Sequence, residues 1–113
     1  ELLTVVLARA GAVVTCAGAV REALTALGRA RPDVIVSDIS MPDEDGYSLI
    51  RRLRALRPER GGQIPALALT AYAGREDEAR ALEAGFQLHL AKPVDPLRLV
   101  EAVARVSGWT RVV

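Results

Sequence analysis

Hydrophobic residues recur along the chain with two alternating periods, and each change of period marks an element. From residue 1 to residue 10 the apolar positions Leu2, Leu3, Val5 and Val6 follow a helical spacing. Gly11 closes that run, being the residue type that most easily takes a left-handed cap position. The chain therefore opens inside a helix. Residues 12–16 form a short β-prone segment, residues 20–30 an Ala, Leu and Arg-rich helix, and Arg31-Pro32-Asp33 a turn. Val34-Ile35-Val36 reads as a fully buried strand. A loop over 38–46 leads into a helix over 47–57, whose Leu49, Ile50, Leu53 and Leu56 make a one-sided stripe. Residues 58–63 interrupt it. The remaining order is a strand over 64–70, a charged surface helix over 75–84 ended by Gly85, a strand over 86–91 and a helix over 96–106.

Strands that alternate with helices of about ten residues imply a parallel sheet covered on both faces, because parallel neighbours need a crossover of that size. The expected class is α/β, doubly wound. In such sheets ligands bind beyond the carboxyl ends of the strands. That rule selects Asp38, Thr70 and Lys92, each at the end of an expected strand.

Length and composition narrow the setting. A chain of 113 residues, half of them hydrophobic, builds one core and one domain. Its 15 basic against 14 acidic side chains leave a net charge of +1, so no general field attracts nucleic acid or an anionic membrane. The single cysteine, Cys16, has β-prone neighbours and is expected to be an inert core thiol. No apolar run approaches the roughly 20 residues of a membrane span, and no signal peptide is visible. A cytoplasmic domain, possible as one module of a larger protein, is the expectation.

A carboxylate nucleophile, a hydroxyl to hold a phosphoryl oxygen and an ammonium to balance charge suit phosphoryl transfer. Each residue alone has a plainer reading: strand-terminal Asp and Thr cap loops, and Lys is usually solvated. Order and spacing add to the case. Residues 34–46, with Asp38 after an apolar strand and then Met41-Pro42 and Gly46, resemble the signature of two-component response-regulator receiver domains. Ala68-Leu69-Thr70-Ala71 resembles the threonine segment of that family, and Ala91-Lys92-Pro93 its lysine, which precedes a cis peptide bond.

The resemblance covers nearly the whole chain and implies a flavodoxin-like fold over residues 1–107, with 108–113 as a tail or linker. It implies that Asp38 accepts phosphate from a histidine kinase or phosphotransfer protein, that the Thr70 hydroxyl moves to the phosphoryl group, and that Lys92 pairs with it. A phosphoryl group adds close to two negative charges, which a hydroxyl and a cation can follow. The surface expected to respond is formed by residues 75–84, 86–91 and 96–106. Segments 61–65 and 91–96 resemble receivers attached to hybrid histidine kinases, so an attached kinase module is a further expectation. The family also implies Mg²⁺, held here by Asp38 and the main-chain carbonyl of Ser40. Ser40 and Tyr72 match positions that tune phosphoryl lifetime.

Two departures qualify this picture. His89 stands where the family commonly has an aromatic rotamer switch; a switch, or an inert half-buried histidine, are the two readings. The family's first strand ends in an acidic pair that holds the metal, and no counterpart occurs in this sequence, so Mg²⁺ binding by these residues alone is doubtful. The family strand order places that gap between residues 12–16 and 34–36, leaving two apolar edges; the expectation is that the first strand belongs to a longer chain upstream, or that another segment, such as the β-prone 110–113, or strand exchange fills the slot. Asp43, Glu44 and Asp45 read as a solvated turn and helix start rather than a metal cluster. Trp109 reads as a packing or linker residue.

Two other functions compete. A haloacid-dehalogenase-type phosphohydrolase also uses a strand-end Asp, but needs a second Asp two residues later, where Ser40 stands. A receiver-like protein-binding module that is not phosphorylated keeps the fold without the chemistry. The expectation is a phosphorelay receiver and signalling domain, not an enzyme, bacterial, with no nucleic-acid or membrane partner.

Overall fold

The computed structural model describes residues 2–11, 20–29, 31–39, 45–71 and 74–107. Among the described residues three strands form one parallel sheet in the order β1 (Ile35–Asp38), β2 (Ala66–Thr70), β3 (Leu88–Ala91). The described helices are α1 (Leu2–Arg9), α2 (Val20–Arg29), α3 (Gly46–Arg54), α4 (Arg75–Ala84) and α5 (Pro96–Ser107), with a 3₁₀ turn at Pro58–Arg60. Helix α1 meets α5, whereas α2, α3 and α4 pack in succession. This is the doubly wound α/β arrangement that the alternating pattern predicts.

Every side chain of β2 is buried, as expected of a strand with neighbours on both edges and helices on both faces. Its small Ala66 and Ala68 allow the helical layer close approach, and they share a cluster with Tyr47, Ile50 and Leu53 of α3, Ala81 of α4, and Phe86. On α3 those positions are three apart, which keeps them on one stripe. The opposite parity of β2, Leu67 and Leu69, is buried too, as are Leu99 and Ala102 of α5. Strand β1 is only half-buried except at Ser37. Among the described residues it pairs on one edge alone.

Boundaries depart from the sequence expectation in three places. Helix α3 stops at Arg54 rather than at residue 57, because Leu56 donates back to the Leu53 carbonyl and Gly62 packs directly on the Leu56 carbonyl. Strand β2 begins at Ala66, two residues late: the Ile64 N–H closes a turn onto Gly61, and Pro65 has no N–H to pair. Phe86 belongs to the end of α4 instead of β3. Its N–H bonds to the Ala81 carbonyl while Gly85, at φ 125°, bonds to Leu82, the closure in which an apolar residue follows the cap glycine and packs inward. The expected strand over 12–16 and the tail over 108–113 lie outside the described residues.

Candidate functional site

The carboxyl ends of the three strands bring the expected triad together. Asp38 ends β1 and Thr70 ends β2. Lys92 follows β3, and its N–H donates to the Thr70 carbonyl at 2.7 Å, which carries the ladder one residue past the strand. The Lys92–Pro93 peptide is cis, as the resemblance implies. The Lys92 ammonium forms an ion pair with Asp38 Oδ1. That oxygen is buried, and among the described residues no hydrogen bond reaches it beside this ion pair. Both side chains nevertheless keep solvent access, 45% for Lys92 and 39% for Asp38. Thr70 is almost fully buried, which fits a hydroxyl directed by the fold rather than by solvent.

The backbone around Asp38 is fixed from three sides. Ile39 N–H donates to the Leu69 carbonyl at 2.9 Å, prolonging β1. Gly46 N–H donates to the Ile39 carbonyl at 2.7 Å, and its Cα lies so near that a Cβ would stand 2.5 Å from the Asp38 carbonyl oxygen. The buried Ser37 hydroxyl donates to that same carbonyl at 2.9 Å. Asp45 caps α3 by accepting from Ser48 N–H at 2.9 Å, so part of the acidic run is the helix start that its composition implies. The spacing from Asp38 to Gly46 was visible in the sequence, and its steric reason only in the fold. Ser37 carried no signal beyond its place next to Asp38.

The ladder sets His89 opposite Ala68, hence on the sheet face that Thr70 also occupies two residues further on. His89 Nε2 is buried and has no hydrogen-bond partner among the described residues. On the same side Arg80 of α4 stacks over the Tyr47 ring, 4.3 Å from its centroid. Helix α4 is thereby tied to the start of α3, one residue from the glycine that abuts Asp38. Ser40, Tyr72, Asp43 and Glu44 lie outside the described residues.

The described residues do not complete a magnesium site. They contain no group of three or more His, Cys, Asp or Glu side chains able to hold a metal ion. Asp38 supplies a single carboxylate, already engaged by Lys92. A hard divalent cation prefers several oxygen ligands.

At the amino ends of the strands a different polar device holds the sheet. The Arg54 guanidinium donates to the carbonyls of Gly62, Ile64 and Gly85 and to Gln87 Oε1, which in turn accepts from Ala66 N–H. Burial lowers the pKa of this guanidinium from its ordinary value. It stitches the entries of β2 and β3 to α3.

This fold is the one that solved receiver domains share. The sequence pattern of the response regulator receiver domain family matches residues 1–104, and the chain belongs to that family. An uncharacterized 14.6 kDa protein of Leptolyngbya boryana is 48% identical over 103 residues, covering 91% of this chain and 77% of that protein. The receiver domain of sensor histidine kinase PA1611 from Pseudomonas aeruginosa PAO1, solved with magnesium in its active-site cleft, is 34% identical with a TM-score of 0.83. That match covers 95% of this chain and 86% of the other. Chemotaxis protein CheY4 of Vibrio cholerae is 31% identical with a TM-score of 0.84, over 93% and 86% of the two chains. Histidine kinases are also matched, but the chain spans only 5% to 8% of their length. The chain is a signalling domain of phosphorelay signal transduction.

Proposed function

We propose that Asp38 is the phosphoryl acceptor of this receiver domain, with Lys92 and Thr70 as the groups that answer its change in charge. The observation that carries this reading is the Lys92–Asp38 ion pair at the sheet's carboxyl edge, beside the buried Thr70. Transfer from a phosphohistidine breaks the P–N bond and forms a P–O bond to an Asp38 oxygen, and the released imidazole takes up a proton. Lys92 is already in place to balance the added charge, and the Thr70 hydroxyl can donate to a phosphoryl oxygen. His89, on the face shared with Thr70 and with no hydrogen bond to its Nε2 among the described residues, is the proposed switch side chain.

The donor on this reading is a histidine kinase or a phosphotransfer protein, and an attached kinase module is supported by the kinase origin of the PA1611 receiver. Magnesium enters only with ligands beyond Asp38, among which the Ser40 carbonyl is proposed; Ser40 and Tyr72 are proposed to tune phosphoryl lifetime. The module itself is a phosphoacceptor rather than an enzyme acting on a separate substrate. A bacterial cytoplasm is the proposed setting. No described helix is long and apolar enough to cross a membrane. Residues 1–107 are proposed as the domain and 108–113 as its tail.

Incubation with acetyl phosphate and Mg²⁺, followed by intact mass and peptide mapping, tests the reading. One phosphoryl group on Asp38, absent in Asp38→Asn, is expected. No mass gain, in a sample that a phosphohistidine donor also fails to label, would favour the unphosphorylated binding module.

A further inference from the structure

Ile35, Ser37 and Ile39 share one face of the β1 segment, because alternate residues of a strand point the same way. On that face Ile35 and Ile39 pack against the cluster of Tyr47, Ile50 and Leu53. Ser37, between them, is 4% exposed. A hydroxyl buried in an apolar stripe costs free energy unless it is hydrogen-bonded, and an apolar side chain would fill the position without that cost. Ser37 has its bond: the hydroxyl donates to the Asp38 carbonyl at 2.9 Å.

That carbonyl has no ladder partner among the described residues. The Asp38–Ile39 peptide unit directs its N–H and its carbonyl to opposite sides, and the Ile39 N–H is taken by the Leu69 carbonyl of β2 at 2.9 Å. The Asp38 carbonyl therefore points away from β2, to the edge of β1 on which no described strand pairs. Ser37 on one end and Leu69 on the other hold this unit. The next unit is held by Gly46, whose N–H donates to the Ile39 carbonyl at 2.7 Å. Any rotation of the first unit is a rotation about the Cα–C bond of Asp38, and it re-aims the carboxylate against the loop that follows.

We propose, on the reading of Asp38 as acceptor, that Ser37 is a positioning residue for phosphoryl acceptance. Its hydroxyl fixes the peptide unit after Asp38, so that the carboxylate meets the donor's phosphorus in line. With acetyl phosphate an Asp38 oxygen forms the new P–O bond while the bond from phosphorus to the acetate oxygen breaks, and acetate leaves. Aim matters in such a step, since displacing a reacting group by about 1 Å can cost about 10²-fold in rate. Ser37 acts through the Asp38 backbone and not on the donor.

The test compares Ser37→Ala, Ser37→Thr and Ser37→Val with the parent chain, reading Asp38 labelling by intact mass over a range of acetyl phosphate concentrations with Mg²⁺ present. Thr and Val are nearly equal in size and only Thr keeps the hydroxyl, so the pair separates hydrogen bonding from packing. Ser37→Ala, which removes one oxygen and adds no bulk, serves where the larger side chains do not fold. Ser37→Ala and Ser37→Val are expected to lower the maximal labelling rate roughly tenfold and Ser37→Thr to keep it within about threefold. The half-saturating concentration of acetyl phosphate should stay within about twofold throughout. Urea midpoints that agree between Thr and Val show that stability is not the cause. Parent-like labelling in Ser37→Ala overturns the inference, as do equal rates in Thr and Val or a loss confined to the half-saturating concentration. Those results leave Asp38 as the acceptor. A parent chain that neither acetyl phosphate nor a phosphohistidine donor labels removes the acceptor reading, and the role of Ser37 with it.

Discussion

Replacing Gly46 by alanine sets two opposed effects against each other. Gly46 is the first residue of α3, and helix propensity alone predicts a gain of up to about 1 kcal/mol. The structure predicts a loss. The new Cβ would stand 2.5 Å from the Asp38 carbonyl oxygen and 2.9 Å from Ile39 Cα, both backbone atoms that cannot swing aside. Restoring ordinary contact requires the start of α3 to withdraw by close to 1 Å from β1. That strains the 2.7 Å hydrogen bond from Gly46 to Ile39, worth about 1 kcal/mol. Overpacking of this kind costs about 1–3 kcal/mol. After the helical gain is subtracted, Gly46→Ala is expected to destabilise by about 2 kcal/mol, a fall of roughly 8 °C in Tm for a domain of this size. Gly28→Ala is the matched control: with open space at its Cβ it should gain up to about 1 kcal/mol. Urea denaturation followed by circular dichroism measures both. Labelling of Asp38 by acetyl phosphate should fall in Gly46→Ala and not in Gly28→Ala. A Gly46→Ala chain as stable as the parent would refute the steric reasoning, and equal losses in the two variants would show that backbone freedom, not space, decides.

Other substitutions probe the supports of the site. Arg54→Met removes five hydrogen bonds to Gly62, Ile64, Gly85 and Gln87 and is expected to cost about 3 kcal/mol in urea denaturation. Arg54→Lys should recover less than half of it, because an ammonium cannot present the planar fork. Asp45→Ala deletes the cap of α3 and should cost about 1 kcal/mol, with faster amide exchange confined to the first turn of that helix. Leu53→Ala empties a fully buried position in the cluster beneath β2, and a loss of about 2–5 kcal/mol is expected from the denaturation midpoint.

Much of this molecule was legible in one dimension. The alternation of β-prone and helical stretches revealed the class, since parallel strands need crossovers long enough to hold a helix. Asp38, Thr70 and Lys92 stood out because their chemistry falls at strand ends. What the pattern left open was how they meet. The order β1-β2-β3 puts β2 between Asp38 and Lys92, a span of two strand spacings or about 10 Å between backbones. The long lysine stem bridges it, and only the sheet order reveals that it must.

Arg54 shows the complementary case. In the last turn of an amphipathic helix it looks like any solvated basic residue, yet it gathers three carbonyls from two segments, one 8 to 10 and the other 31 positions away. The sequence pattern alone places Phe86 in a strand over 86–91, whereas the left-handed turn at Gly85 makes it the apolar seal of α4. Local composition determines which elements form and which chemical groups stand at their ends, because period and propensity act over a few residues. Contacts such as Gly46 on the Asp38 carbonyl, Ser37 beneath it and Arg54 across the sheet entries were decided only by tertiary structure. They depend on distances between segments remote in sequence, which hydrophobic burial sets without leaving a local mark.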